Sequence, residues 1–253
     1  MAPRWPYNCP VKWGEKEIVM RRFSILAVAV LACTFGIAMG QTTNKESAAF
    51  HEKGKTAYIN KDFNTAVSYF TKAIDLDPKN AKSYTGRGFT YNYTKKYPEA
   101  ISDLNKAIEL DPSQKTIVLY GIRGNAYSSL KNYPEAISDF TKVIELEPKN
   151  AAAYVSRGNA YQGTKMYSEA IEDCTKAIEL DPKNANFYAS RGLAYSLDKK
   201  YSESLTDCNR AIELNPMSSF AYLVRSGAYA GLGDFKKSRI DEVTHGILAR
   251  KGL

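Results

Sequence analysis

Four cysteines and two histidines are the side chains from which a nucleophilic or metal-assisted centre would have to be built. Their spacing argues against one. His51 and His245 stand near opposite ends of the chain, and there is neither a Cys-x-x-Cys pair nor a His/Cys cluster. Cys174 and Cys208 lie 34 residues apart, in a column that Phe70, Leu104 and Phe140 fill elsewhere, so both read as small core residues. Helices stacked at about 8–10 Å keep such equivalent positions beyond the ~7 Å that a disulfide spans. Gly-rich phosphate loops and paired catalytic acids are absent from the pattern. The expectation is a protein that is not an enzyme, with no cofactor and no metal site.

Two other sets of residues recur in register. Arg87, Arg123, Arg157, Arg191 and Arg225 form one column; Asp103, Asp139, Asp173, Asp207 and Asp241 form another. Lys53 and Tyr69 replace both at the first opportunity, together, which points to structural Arg–Asp pairs. Such pairs specify geometry more than they add stability. A third set, Asn125 and Asn159, places two carboxamides in adjacent units, each able to donate and accept.

The elements that must position these residues follow from a 34-residue period. Tyr-x-x-Arg-Gly-x-x-Tyr, Ala-Ile-x-Asp and Glu-Leu-Asp-Pro-Lys-Asn return in order, as two short amphipathic segments per unit. Pro78, Pro112, Pro148, Pro182 and Pro216 stop the second segment, and Asn80, Thr116, Asn150, Asn184 and Ser218 are placed to cap the next. Pro98 and Pro134 suit a first helical turn. Ser113–Thr116 absorbs two extra residues.

This pattern resembles the tetratricopeptide repeat family from Ser47 onward, in six units: 47–80, 81–114, 117–150, 151–184, 185–218 and 219–252. The resemblance covers 47–253 and rests on recurring positions. An aromatic opens helix A at Phe50, Tyr84, Tyr120, Tyr154, Tyr188 and Tyr222; a small residue follows at Gly54, Gly88, Gly124, Gly158, Gly192 and Ser226. Tyr58, after one residue of slack, Tyr91, Tyr127, Tyr161, Tyr195 and Tyr229 mark the end of that helix. The family's fold is all-α, a right-handed superhelical solenoid of stacked antiparallel helix pairs, with a concave groove lined by helix A. The last unit lacks the closing proline, and Ile240, Val243, Ile247 and Leu248 make an apolar stripe opposite polar Glu242, His245 and Arg250. That unit reads as a solubility cap, its outer face polar.

Projected onto this chain, the family's rule places Lys55, Lys82, Phe89, Tyr93, Asn125, Asn159, Gln162, Asn186, Ala189, Leu193 and Leu223 in a peptide-binding groove. The implied role is a non-catalytic scaffold or adaptor for a protein or peptide partner. The carboxylate clamp by which some members dock chaperones needs cations that no frame of these helices supplies. A cytosolic adaptor or co-chaperone without that clamp is the runner-up. An RNA-binding repeat protein fits less well. Lys72, Lys106, Lys142, Lys176 and Arg210 each meet an acid three residues on, which neutralises the face, so no nucleic acid is expected.

The net charge of +8 is a mild excess over 253 residues, of which residues 1–40 carry +3. Met20-Arg21-Arg22, the apolar run Phe23 to Met39, and small Ala38 and Gly40 have the grammar of an export signal over 20–40, with 41–46 a polar linker. Residues 1–19 then read as an upstream extension or a mis-assigned start. An uncleaved anchor needs the 17 residues 23–39 to span a bilayer, at the lower limit. Val30-Leu31-Ala32-Cys33 resembles a lipidation box around Cys33, although Leu31 is bulky for it and apolar residues follow. Membrane contact is expected only through 23–39 or Cys33. The expected location is the periplasm, the envelope or the exterior, with the cytoplasm as alternative. The layout resembles repeat lipoproteins that assist envelope assembly.

Overall fold

The computed structural model describes residues 43–112 and 116–252; the leader and its alternatives lie outside them. Every regular element among the described residues is a helix. Helix α1 covers 43–59, and α2 is Phe63–Leu76. The following pairs are α3 Ala81–Tyr93 with α4 Tyr97–Leu110, α5 Thr116–Ser129 with α6 Tyr133–Leu146, and α7 Ala151–Gly163 with α8 Tyr167–Leu180. The last two are α9 Ala185–Leu197 with α10 Tyr201–Leu214, and α11 Ser219–Gly231 with α12 Phe235–Arg250. Odd-numbered helices are helix A of a unit and even-numbered ones helix B. From α3 onward each helix A packs on its own helix B, on the helix B before it, and on the neighbouring helices A. The molecule is therefore an all-α solenoid of stacked antiparallel pairs.

Local chemistry explains the boundaries. The side chains of Asn80, Asn150, Asn184 and Ser218 accept from amides two or three residues ahead, at 3.0–3.3 Å. Pro98 and Pro134 sit in the first turn of α4 and α6, where an amide hydrogen has no helical partner. Each A-to-B turn places its central residue in the left-handed region: Lys61, Lys95, Lys131, Lys165 and Lys199 at φ 61–63°, and Gly233 at 80°. The next amide donates back five residues, as from Lys96 to Tyr91 at 2.8 Å and Met166 to Tyr161 at 2.9 Å. Close approach of the two helices calls for a very small residue in helix A, glycine in five units and Ser226 in the sixth. A Cβ at Gly54 would stand 2.7 Å from the Phe70 ring, and one at Gly192 would stand 3.0 Å from the Cys208 sulfur.

Several expectations are corrected. Residues 43–46 belong to α1 and not to a linker; extending a helix already nucleated downstream costs little. The first unit has no residue of slack, because its turn bond runs from Asp62 to Ala57, so Ala57 holds the tyrosine column and Tyr58 stands one place beyond. Thr116 is the first residue of α5, and the position before it lies outside the described residues. The greatest departure is α12. Its stripe faces outward, with Ile240 57%, Val243 53% and Ile247 51% exposed, and only Leu248 buried. The outer face expected to be polar therefore carries an exposed apolar stripe among its charged residues.

Candidate functional site

The Arg and Asp columns meet in every unit from the second on. Arg87 donates from Nε and Nη2 to the two carboxylate oxygens of Asp103 at 2.7 and 2.8 Å. Arg123–Asp139, Arg157–Asp173, Arg191–Asp207 and Arg225–Asp241 repeat this fork at 2.6–2.8 Å. All five aspartates are buried. Bonding to Asp103 raises the Arg87 guanidinium's pKa against the opposing effect of burial. The third nitrogen does something the sequence reading missed. It donates to helix B of the preceding unit, at Thr71, Asn105, Thr141, Thr175 or Asn209, over 2.6–3.1 Å. The guanidinium thus ties a unit together and also ties it to its neighbour, beneath a tyrosine ring 5.2–6.0 Å away. In the first unit, a stack of Phe50 on Tyr69 at 6.1 Å, with Lys53 over Phe50, replaces the fork.

The thiols are closed to chemistry. Cys174 and Cys208 are free and buried, and burial pushes each thiol up to about 12. His51 bonds Ser83 Oγ at 3.2 Å, and burial holds its pKa below the usual value. His245 bonds the Ser219 carbonyl at 3.0 Å. No group of three His, Cys, Asp or Glu that could hold a metal ion occurs among the described residues.

Two hollows lie on the side lined by helix A. One, of about 290 Å³, is bordered by Val118, Gly121, Asn125, Ala152 and Ser156 of α5 and α7. Asn125 is exposed at this hollow and Asn159 is exposed one unit on, outside its lining; neither carboxamide has a hydrogen-bond partner among the described residues. The other, of about 200 Å³, is almost wholly apolar and is formed by Lys55, Tyr58, Ile59, Phe70, Gly86 and Phe89. Tyr93 is exposed and packs on Phe63 at 4.5 Å. Lys55, paired with Glu52 at 2.9 Å, and Lys82 are exposed nearby. Sequence reasoning missed Tyr58 and Ile59. The sequence signal for Ile59 was weak, because its column holds Tyr93 and Leu197 as well as Ser129, Gly163 and Gly231. A larger hollow of about 770 Å³ lies over α8, among Glu169, Glu172, Lys176 and Glu179. It is an open furrow lined chiefly by charged side chains of one helix.

Three groove assignments are refined. Gln162 is committed, donating from Nε2 to the Ser190 carbonyl of the next unit at 3.1 Å. Ala189 is buried with Ala211 and Ala221, because its column faces the following unit. Leu223 holds that column in α11 and is exposed at the end of the stack, outside the groove. Asn186 is exposed while Leu193 is half-buried. On the opposite surface, Lys106, Lys142, Lys176 and Arg210 each pair with an acid three residues on at 2.7–2.9 Å, whereas Lys72 lies over the Phe50 and Tyr69 rings. Asn92-Tyr93-Thr94 has the form of a glycosylation sequon; there the Asn92 residue is half-buried with its amide oxygen covered, and Thr94 bonds the backbone of α3.

An open stack of hairpins with a helix-A-lined hollow side and no assembled reactive centre among the described residues defines a helical-repeat interaction scaffold. Models described as tetratricopeptide repeat match residues 47–80, 81–114, 151–184 and 174–206, and one described as TPR repeat matches 124–165. The chain belongs to the tetratricopeptide repeat family. The human DnaJ homolog subfamily C member 7 is 46% identical over 50 residues, 20% of this chain; the chain spans about 10% of the length of that curated relative. Among solved structures, MamA is 26% identical with a TM-score of 0.63, covering 69% of this chain and 94% of its own. YrrB, described as a TPR protein with an unusual peptide-binding site, is 22% identical with a TM-score of 0.64, covering 70% and 91%. A tetratricopeptide repeat protein from Parabacteroides merdae is 21% identical with a TM-score of 0.70, covering 78% and 77%. The last two show the fold alone.

Proposed function

We propose that this chain is a non-catalytic scaffold that holds an extended or helical peptide against its helix A side, on the extracytoplasmic face of a membrane. The observation that carries the binding role is the pair of exposed, unpartnered carboxamides at Asn125 and Asn159, in one column of adjacent units, the first of them lining a hollow. Such carboxamides are free to bond a guest's backbone. The apolar hollow under Tyr58, Ile59 and Phe89 takes an apolar side chain of the guest, and Lys55 and Lys82 favour acidic residues flanking it. The peptide-binding site described for YrrB is consistent with this use of the fold. Export rests on the leader grammar of 20–40.

The test selects peptides from a random display library on the full chain and measures their affinity for an Asn125→Ala/Asn159→Ala variant. Affinity weakened at least tenfold with unchanged thermal unfolding supports the reading; unchanged affinity refutes it. Intact mass and cell fraction test the location. A chain starting at Gln41, or lipidated at Cys33, in the envelope supports export. An unprocessed cytosolic chain makes the cytosolic adaptor the better reading.

A further inference from the structure

The six units are internal controls for one another, and α12 departs from the other five B helices in a directed way. The column of Ile240 holds Ser68, Ser102, Ser138, Glu172 and Thr206. That of Val243 holds Thr71, Asn105, Thr141, Thr175 and Asn209, the residues that receive the next unit's arginine. That of Ile247 holds Asp75, Glu109, Glu145, Glu179 and Glu213. Every earlier residue in these three columns is polar. Conversely, Glu242 stands in the core column of Phe70, Leu104, Phe140, Cys174 and Cys208, and His245 in that of buried Ala73, Ala107, Val143, Ala177 and Ala211. The apolar stripe of α12 has therefore turned round the helix, away from its own unit and out to the surface. A further repeat would not stack there as the others do, since Val243 cannot accept an arginine and Glu242 would enter a core.

Basic residues flank the stripe. At about 100° per residue, Lys236, Arg239, Ile240, Val243, Ile247 and Arg250 fall within an arc of roughly 100°. All six are exposed, and the three cations have no ion-pair partner among the described residues. Phe235, 71% exposed, extends the apolar surface at the start of the helix. The one carboxylate of α12 outside the Arg225 fork is Glu242, which falls about 60° beyond this arc.

We infer that the outer face of α12 docks on an anionic lipid surface, with Ile240, Val243 and Ile247 entering the interface and Lys236, Arg239 and Arg250 meeting the headgroups. Charge complementarity selects this occupant. A basic-flanked apolar face on a helix too short and polar to span is the composition that lies in a membrane surface. Two copies joined by this stripe about a twofold axis would face like charges, since all three flanking residues are cations. Head-to-tail pairing would set the stripe against the exposed charged residues Lys45, Glu46, Glu52 and Lys53 of α1. Docking by the end of the stack leaves the helix A side open, so lipid and peptide are held at once.

The experiment uses the full chain with benzoylphenylalanine at position 247, photolysed on vesicles of phosphatidylcholine with and without a quarter phosphatidylglycerol. The control carries the same group at position 213, the equivalent place in α10. This readout is local to α12 and independent of any lipid contact by residues 23–39. Lipid adducts at 247, at least about tenfold more frequent on anionic vesicles and absent at 213, support the inference. An Arg239→Glu/Arg250→Glu background should remove them. Adducts between two copies of the chain would overturn it in favour of self-association. No adduct at 247, or equal adducts at 247 and 213, would overturn it outright.

Discussion

Helices α10 and α12 hold the same place in their units and share a small serine and a bridging aspartate, Ser204 and Asp207 against Ser238 and Asp241, all buried. At five other equivalent places their polarity is inverted. Helix α10 buries Cys208 and Ala211 and exposes Arg210 and Glu213 as an ion pair at 2.9 Å. Helix α12 puts Glu242 and His245 in the first two places and Thr244 and Ile247 in the others. The hairpin is thus specified by a few residues, chiefly the arginine fork and the small contact. Everything else on a B helix answers to what lies against it: another unit for α10, and on our inference a lipid surface for α12.

Transplanting the inversion should show this most strongly. Cys208→Glu, which copies the α12 residue into α10, buries a carboxylate with no partner and should cost more than about 4 kcal/mol by denaturant unfolding. Glu242→Ala should stay within about 0.5 kcal/mol. Equal effects would remove the basis of the comparison.

Breaking the shared fork comes next. Asp207→Ala or Asp241→Ala strands a largely buried guanidinium, at about 3 kcal/mol. The loss should differ in reach, because a stacked array couples only neighbours. Hydrogen exchange should spread from α9 to α12 for Asp207→Ala and stay within α11 and α12 for Asp241→Ala. Identical exchange patterns would contradict the nearest-neighbour picture.

The interior thiols offer a smaller effect. Both titrate near 12 in the folded chain, above the ordinary thiol value. The folded state keeps its protons while the unfolded state loses them, so stability is full below about pH 8.5 and falls as pH rises toward 12. At pH 10 each thiol should cost roughly 1–2 kcal/mol, which Cys174→Ala/Cys208→Ala should abolish from the pH dependence. A flat stability profile between pH 8 and 10 would contradict their burial.

The smallest change expected is also diagnostic. Restoring column residues on α12, Ile240→Ser with Ile247→Glu, should shift stability by no more than about 0.5 kcal/mol, since both side chains are exposed. A loss above about 2 kcal/mol by thermal unfolding would mean the stripe packs within the chain.

The repeat frame was legible because it is local. Period, prolines, caps and the shared departure of Lys53 and Tyr69 from the Arg and Asp columns are relations along one chain. They need only helix geometry and hydrogen-bond chemistry. The all-helical repeat architecture followed from them. The reading of Tyr58 as part of its column failed because a tyrosine was given weight over strict spacing, and the turn bond to Ala57 restores the frame.

By itself the sequence determined that the chain is an all-α tetratricopeptide solenoid without an evident reactive cluster, and which residues share a column. Only the tertiary structure decided what each column touches. It spent Gln162 on Ser190, buried Ala189, left Leu223 at the end of the stack, and extended each arginine to the unit before it. It also turned the stripe of α12 outward. The physical reason is that periodicity records a residue's direction from its own helix axis, whereas exposure depends on whether a neighbouring helix covers that direction.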